Sequence, residues 1–275
     1  VLTNWSHREV RGWRLPWSRT LVAFGDPAFS GSPPEGESSS LELGGQWERL
    51  PGSRKEVKAI ASLIGGASRL YFGEAAQKSQ LFREASAPIP LLHLSTHAAA
   101  ETANPELSRI LFSHQPGQDG ADYLFLGEVA SLDLRRTELV TLSACETARG
   151  RWTRGEGVQD LGRAFLMAGA AATVASLWRV ADEPTVQFMK QFYFFLTRGN
   201  SKAEALRKAK LKFLHSGGRL SQAYFWAPFV LYGNGSDPVS VPLSWGAFLL
   251  AGGGLLSLLT AGCWYFRRSR SRPGP

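Results

Sequence analysis

Cysteine is scarce in this chain: Cys145 and Cys263 are the only two in 275 residues. Cys263 falls inside an apolar C-terminal run, so the two are not expected to meet, and a disulfide framework is excluded. Metal-ligand spacing is missing too. The histidines, cysteines and acids form no cluster with the spacing of a zinc or iron site. No Walker or dinucleotide glycine motif is present, so neither a metal nor a cofactor is expected. A signal-peptide pattern is absent from the Trp- and Arg-rich stretch 1–20, and residue 1 is Val. The expectation is a fragment, the C-terminal part of something longer, with 1–20 a tail or a remnant of an upstream domain. Long blocks of like charge are also few. The formal net charge is +8, but Arg267, Arg268, Arg270 and Arg272 crowd the last nine residues. Elsewhere base and acid interleave, so nucleic acid is not the expected partner. The Trp/Arg-rich start is the one hint of a nucleic-acid module, which salt-sensitive binding would support.

What is present is an ordinary globular composition, 44% hydrophobic and 20% charged, with something apolar added. Short apolar runs read as strands at Leu21–Phe24, Leu70–Phe72, Ile89–Leu94, Leu139–Leu142, Thr173–Trp178 and Trp226–Tyr232. Helical periodicity falls between them. Ser53 reads as an N-cap with Glu56 at capping-box spacing, before a stripe of Val57, Ile60, Ala61 and Ile64. Further helices are predicted over Gln77–Ser86, Gly157–Ala168, Pro184–Leu196 and Ser201–His215. Ala98–Leu107 reads as a loop, and the runs after it, around Gln115–Asp122, as a hairpin. Ser30–Ser40 is rich in Pro, Gly, Ser and Glu and reads as an exposed loop. Strands alternating with helices predict an α/β fold with a mostly parallel sheet flanked by helices.

Two strand ends stand out. Leu139–Leu142 stops at Ser143-Ala144 and then Cys145; Ile89–Leu94 stops at Ser95-Thr96 and then His97. Open α/β sheets keep ligand-facing residues at such positions, and the two ends are expected to lie side by side. Taken alone, Cys145 reads equally as a small buried hydrophobe. As a pair, an imidazole stabilises the thiolate or acts as general base and then protonates the leaving amine. Backbone N–H groups of Ala98 and Cys145 are candidate donors to an oxyanion. His93, inside its strand, reads as a hydrogen-bonded core residue rather than the base. His7, His114 and His215 have no assigned partner. Asp182 and Glu156 fall in loops after the sheet. Either acid, placed in a specificity pocket, would favour a basic residue before the scissile bond; a helix cap and a turn residue are the competing readings.

Leu243–Phe266 is 24 residues without charge or proline. At about 1.5 Å per residue it is long enough for a ~30 Å hydrocarbon core. Trp245, Trp264 and Tyr265 sit near its ends as interface anchors do. A single C-terminal transmembrane helix is expected over 243–266, with 267–275 a basic tail on the cytoplasmic side.

The runs His93-Leu94-Ser95-Thr96-His97, Leu142-Ser143-Ala144-Cys145-Glu146-Thr147 and Gly155-Glu156-Gly157, followed by Arg163-Ala164-Phe165-Leu166 and Ala168-Gly169-Ala170, together resemble a CHAT domain. Ala175-Ser176-Leu177-Trp178 with Val180 and Asp182, and the closing Trp226-Ala227-Pro228-Phe229, add to the resemblance. It covers about 21–233, and the domain is expected over 21–236. CHAT domains are caspase-like cysteine peptidases, related to separases and often found behind tetratricopeptide repeats. The resemblance implies a caspase-like sheet, His97 as catalytic histidine, Cys145 as nucleophile, a protein substrate and an upstream repeat region or regulatory protein as partner. One departure is Ala98, where the family usually has Gly after the histidine. The alternative is a catalytically silent scaffold or signalling module on the same fold.

Overall fold

A computed structural model describes residues 19–29, 47, 49–101, 103–113, 122–144, 151–153 and 157–240. All of them fall in one compact unit, Trp17–Val241; a second unit, Val1–Pro16 with Pro242–Pro275, consists of residues outside that description. The predicted span 243–266 and basic tail 267–275 therefore lie outside the described residues, as do Cys145, Glu156, His7 and His114.

In chain order the elements are β1 (Arg19–Pro27), α1 (Pro51–Ile64), β2 (Ala67–Gly73), α2 (Lys78–Ala85), β3 (Leu91–Ser95), β4 (Ala98–Ala99), β5 (Arg109–Leu111), β6 (Tyr123–Phe125) and α3 (Leu126–Val129). They continue as β7 (Leu139–Leu142), β8 (Arg151–Thr153), β9 (Gly157–Gln159), α4 (Leu161–Met167), β10 (Ala172–Ser176), α5 (Asp182–Thr197), α6 (Lys202–Leu214), α7 (Ala223–Trp226) and β11 (Phe229–Gly233). Six strands form one sheet in the order β11-β10-β7-β3-β1-β2. Every neighbouring pair is parallel except β10–β11, which is antiparallel. The strands β4, β5 and β6 form a small antiparallel sheet beside it.

Side chains alternate across the large sheet as strand geometry requires. Val22, Phe24, Leu92, Leu94, Val140 and Leu142 pack under α2, α3 and α4. Leu21, Ala23, Leu91, Leu139 and Val174 pack under α1, α5 and α6. Strands buried on both faces are why their sequences read as continuous apolar runs.

Four boundaries differ from the sequence reading. Ser53 is not an N-cap: the cap position is Leu50, three residues earlier, because Pro51 suits the first helical position. Ser53 then donates to the Leu50 carbonyl and accepts from the Asp26 N–H, and Glu56 turns inward instead of closing a capping box. Gly157–Gln159 is a strand paired with β8, so the helix begins only after Asp160, whose side chain accepts from the Arg163 N–H as a true cap. Trp226 ends α7 rather than opening a strand; Pro228 intervenes before β11. The predicted loop after His97 instead contributes β4, pairing Ala98 with Ile110.

Candidate active site

β3 and β7 run side by side and in parallel, with Leu91 opposite Leu139, His93 opposite Thr141 and Leu94 opposite Leu142. The pairing extends past the end of β7, where the Ser143 N–H donates to the Leu94 carbonyl at 2.8 Å. Both chains therefore leave the sheet at the same level. On the histidine side the turn is pinned twice: Thr96 Oγ1 donates to the Leu111 carbonyl (2.7 Å) and the Leu111 N–H donates to the His97 carbonyl (2.9 Å). On the cysteine side, Ser176 at the end of β10 donates its hydroxyl to the Ala144 carbonyl at 2.6 Å. The residue immediately before Cys145 is thus fixed from the neighbouring strand.

His97 is 3% exposed. Its ring lies between Phe29, 5.5 Å away, and Trp47, 5.3 Å away, measured between ring centres. Trp47 belongs to the segment leading into α1, and Arg49 close behind it clamps Asp26 through two hydrogen bonds of 2.8 and 2.7 Å. Arg54 adds a third at 2.8 Å. Burial pushes the Asp26 carboxyl up, but the two guanidinium groups outweigh it and hold the group below the ordinary aspartate range. Asp26 takes a left-handed φ of 45°, a conformation Asp tolerates better than most residues.

Ala98 keeps a φ outside the left-handed region, and its methyl group is buried in the apolar cluster under α2. A side chain is accommodated where the family usually carries glycine.

Between the ends of β3, β7 and β10 and the first turns of α1 and α5 lies a small cleft of about 40 Å³, open to solvent. Ser53, Glu56, Ser95, Ser143, Ser176 and Asp182 supply its polar lining. Asp182 opens α5 and stands against α1, where a Cβ on Gly52 would come within 2.9 Å of its Oδ2. Burial first, and then the negative charge of Glu56, raise the Asp182 pKa, while Arg179 and His97 pull it back down. Its carboxyl is thus within electrostatic reach of His97. Glu56 was missed as a site residue in the sequence because it matched capping-box spacing.

Below the cleft, Glu56 Oε1 lies 2.7 Å from His93 Nε2; His93 Nδ1 lies 3.1 Å from the Tyr193 hydroxyl, and that oxygen lies 2.9 Å from Thr141 Oγ1. All four residues are at most 2% exposed. A neutral His93 donating to Glu56 and accepting from Tyr193, which accepts from Thr141, satisfies this chain. Burial holds the Tyr193 phenol well above its ordinary pKa. Among the described residues, no group of three His, Cys, Asp or Glu side chains is placed to hold a metal ion.

A mostly parallel sheet with helices on both faces, and a histidine turn leaving it beside the strand that leads to a cysteine, defines a caspase-like α/β fold. The chain belongs to the CHAT domain family, whose sequence model matches residues 6–234. Tetratricopeptide repeat protein 28 of Mus musculus is 28% identical over 218 residues, covering 68% of this chain and 9% of that protein. Its Homo sapiens counterpart is 27% identical over the same shares. The chain thus spans under a tenth of the curated relatives it matches. Among solved structures, the Arg-specific cysteine proteinase gingipain R superposes with a TM-score of 0.53 at 12% identity, over 82% of this chain and 48% of that one. At that identity the likeness is one of fold.

Proposed function

We propose that this chain is a cysteine endopeptidase of the CHAT type, with Cys145 as nucleophile and His97 as general base. The observation that supports it most is the in-register parallel pairing of β3 with β7, from whose adjacent ends the two residues follow. The Cys145 thiolate attacks the scissile carbonyl, and the negative oxygen is received by backbone N–H groups, those of Ala98 and Cys145 being the candidates. His97 holds the thiol proton and passes it to the leaving amine. Water then attacks the thioester, with His97 as base, and frees the acid. Asp182 favours a basic residue before the scissile bond, with Glu156 a second candidate for that role. The substrates are proteins. The names of the curated relatives support a tetratricopeptide-repeat region as partner. The 243–266 segment anchors the chain in a membrane, with the Arg-rich tail on the cytoplasmic side. Alkaline carbonate extraction is the check: release of the full chain into the supernatant sinks the anchor.

The decisive experiment incubates the full chain in mild detergent with a proteome-derived peptide library and reads new termini by mass spectrometry, beside Cys145→Ala and His97→Ala. Cuts made only by the unmutated protein are expected, with either substitution lowering the rate by about 10³-fold or more. Identical termini from all three proteins would remove the peptidase reading. A second reading, a silent scaffold on this fold, draws on one observation: His97 is only 3% exposed, with Phe29 and Trp47 among its neighbours.

A further inference from the structure

Two polar residues interrupt the strands that lead to the candidate site. His93 in β3 and Thr141 in β7 stand opposite each other in the parallel pair. Each lies four residues before a proposed catalytic residue, His93 before His97 and Thr141 before Cys145. The positions around them are apolar: Leu91, Leu92 and Leu94 in β3, and Leu139, Val140 and Leu142 in β7. One hydroxyl joins the two strands at this level. The Tyr193 oxygen lies 3.1 Å from His93 Nδ1 and 2.9 Å from Thr141 Oγ1. On the other side of the imidazole, His93 Nε2 meets Glu56 Oε1 at 2.7 Å. The helices α1 and α5 and the strands β3 and β7 thus each put one side chain into a single buried chain. A buried polar chain is often no more stable than the apolar packing that could replace it. What a fully satisfied chain supplies is uniqueness, because every group finds its partner only when both strands and both helices are in place. That matters here because the ladder between β3 and β7 is short, with four paired positions. The same two helices wall the cleft above, through Ser53 and Glu56 of α1 and Asp182 and Thr185 of α5.

We propose that Glu56, His93, Tyr193 and Thr141 are positioning residues, whose hydrogen-bonded chain holds β3 against β7 so that His97 and Cys145 meet. The role rests on the Cys–His pairing of the peptidase reading; the chain itself does not. A thiol and an imidazole act on each other only within hydrogen-bond reach, and a misplacement of about 1 Å costs about 10²-fold in rate. The backbone bonds of the ladder set which residues are paired. The Tyr193 hydroxyl adds a tie between the side chains of the two strands, and through α5 it ties them to the cleft wall. Glu56 does the same from α1. The four residues touch no reacting atom and act through the strands that carry the pair.

The test reads the thiol directly. The full chain in mild detergent is alkylated with iodoacetamide between about pH 6 and about pH 9.5, and the rate is followed at Cys145 alone by peptide mass mapping. Tyr193→Phe removes the joining hydroxyl and keeps the ring. Thr141→Val replaces a hydroxyl by a methyl, and Thr141→Ser keeps the hydroxyl. Glu84→Ala lowers stability on the other face of the sheet without touching the chain. In the wild type a thiolate paired with imidazole keeps alkylation fast at about pH 6. Tyr193→Phe and Thr141→Val are expected to slow it there by about tenfold, and to match the wild type at about pH 9.5, where the thiol ionises unaided. Thr141→Ser and Glu84→Ala should follow the wild type throughout. On peptides that the wild type cuts, kcat should fall by about the same factor in the two slow variants with KM unchanged. Wild-type profiles in Tyr193→Phe and Thr141→Val, or an equal loss in Glu84→Ala, overturn the assignment. The altered profiles without any cleavage by the wild type leave the chain its role and remove the peptidase reading. Cleavage that is the same in wild type and variants does the reverse. A wild-type Cys145 no more reactive at about pH 6 than an ordinary thiol overturns both.

Discussion

Glu84 and Glu56 are carried by α2 and α1, which pack on opposite faces of the same sheet, and both are at most 2% exposed. Their surroundings differ in one respect. Glu84 Oε1 receives Arg69 Nη1 and the Tyr71 hydroxyl, each at 2.6 Å, so a permanent cation accompanies the buried charge. Glu56 receives an imidazole, and its side chain borders an open cleft. Similar burial therefore comes in two arrangements: one acid is matched by a permanent cation within the fold, and the other is held by an imidazole at the edge of the cleft. Burial of a carboxylate does not by itself distinguish structure from function; the permanence of its partner's charge does.

The largest expected effect that would break this comparison is on stability. Glu84→Ala should lower unfolding free energy by about 3 kcal/mol, read from the urea midpoint. A loss below about 1 kcal/mol would show that the permanent cation beside Glu84 does not make it structural. Asp26 belongs with Glu84, because guanidinium groups surround it. Asp26→Asn should cost about 2 kcal/mol at neutral pH. Its folded pKa lies below the ordinary 3.8, so its contribution is fully present above that value and is lost as pH falls through the folded one. The wild type and Asp26→Asn should therefore converge in stability in the acid limb below about pH 4. Glu56→Gln should change stability by less than about 1 kcal/mol, since the amide still bonds His93 and a buried charge is removed. A loss as large as that of Glu84→Ala would place Glu56 among the structural acids. The smallest effect belongs to Asp182, whose pKa is raised. A raised folded pKa means that the ionised group works against the fold once pH exceeds its unfolded value. Asp182→Asn should leave the melting temperature at about pH 7 unchanged or slightly higher, and it should flatten the fall in stability that the wild type is expected to show as pH rises above the ordinary aspartate value of 3.8.

How much of this could be read from the sequence follows from where the forces lie. The strands β3 and β7 were legible because burial on both faces demands unbroken apolar runs, and their ends at Ser95 and Ser143 follow from where those runs stop. The adjacency of the two strands followed from the crossover between them. Asp182 at a helix start was legible from the local concentration of acid before an apolar stripe. Glu56 was not, since its spacing from Ser53 matches a capping box equally well, and only the start of α1 at Pro51 decides between cap and core. Trp47 and Phe29 were invisible as neighbours of His97, because contacts between distant loops leave no periodicity in sequence. Gly157–Gln159 misled for a related reason: three residues of a two-stranded ribbon carry too short a pattern to compete with the helical stripe that follows.

The Asp26–Arg49 clamp has a consequence for the length of the chain it closes. It joins residues 23 apart, with the β1–α1 connection between them, and it holds the base of that connection whatever the connection contains. Closing a loop becomes harder only with the logarithm of its length, by about 0.6 kcal/mol for each doubling. Insertions there are thus cheap, and they leave Trp47 over His97 because Arg49 is anchored two residues away. The connection is a place where a relative of this protein can grow an added segment while the Asp26–Arg49 clamp stays closed.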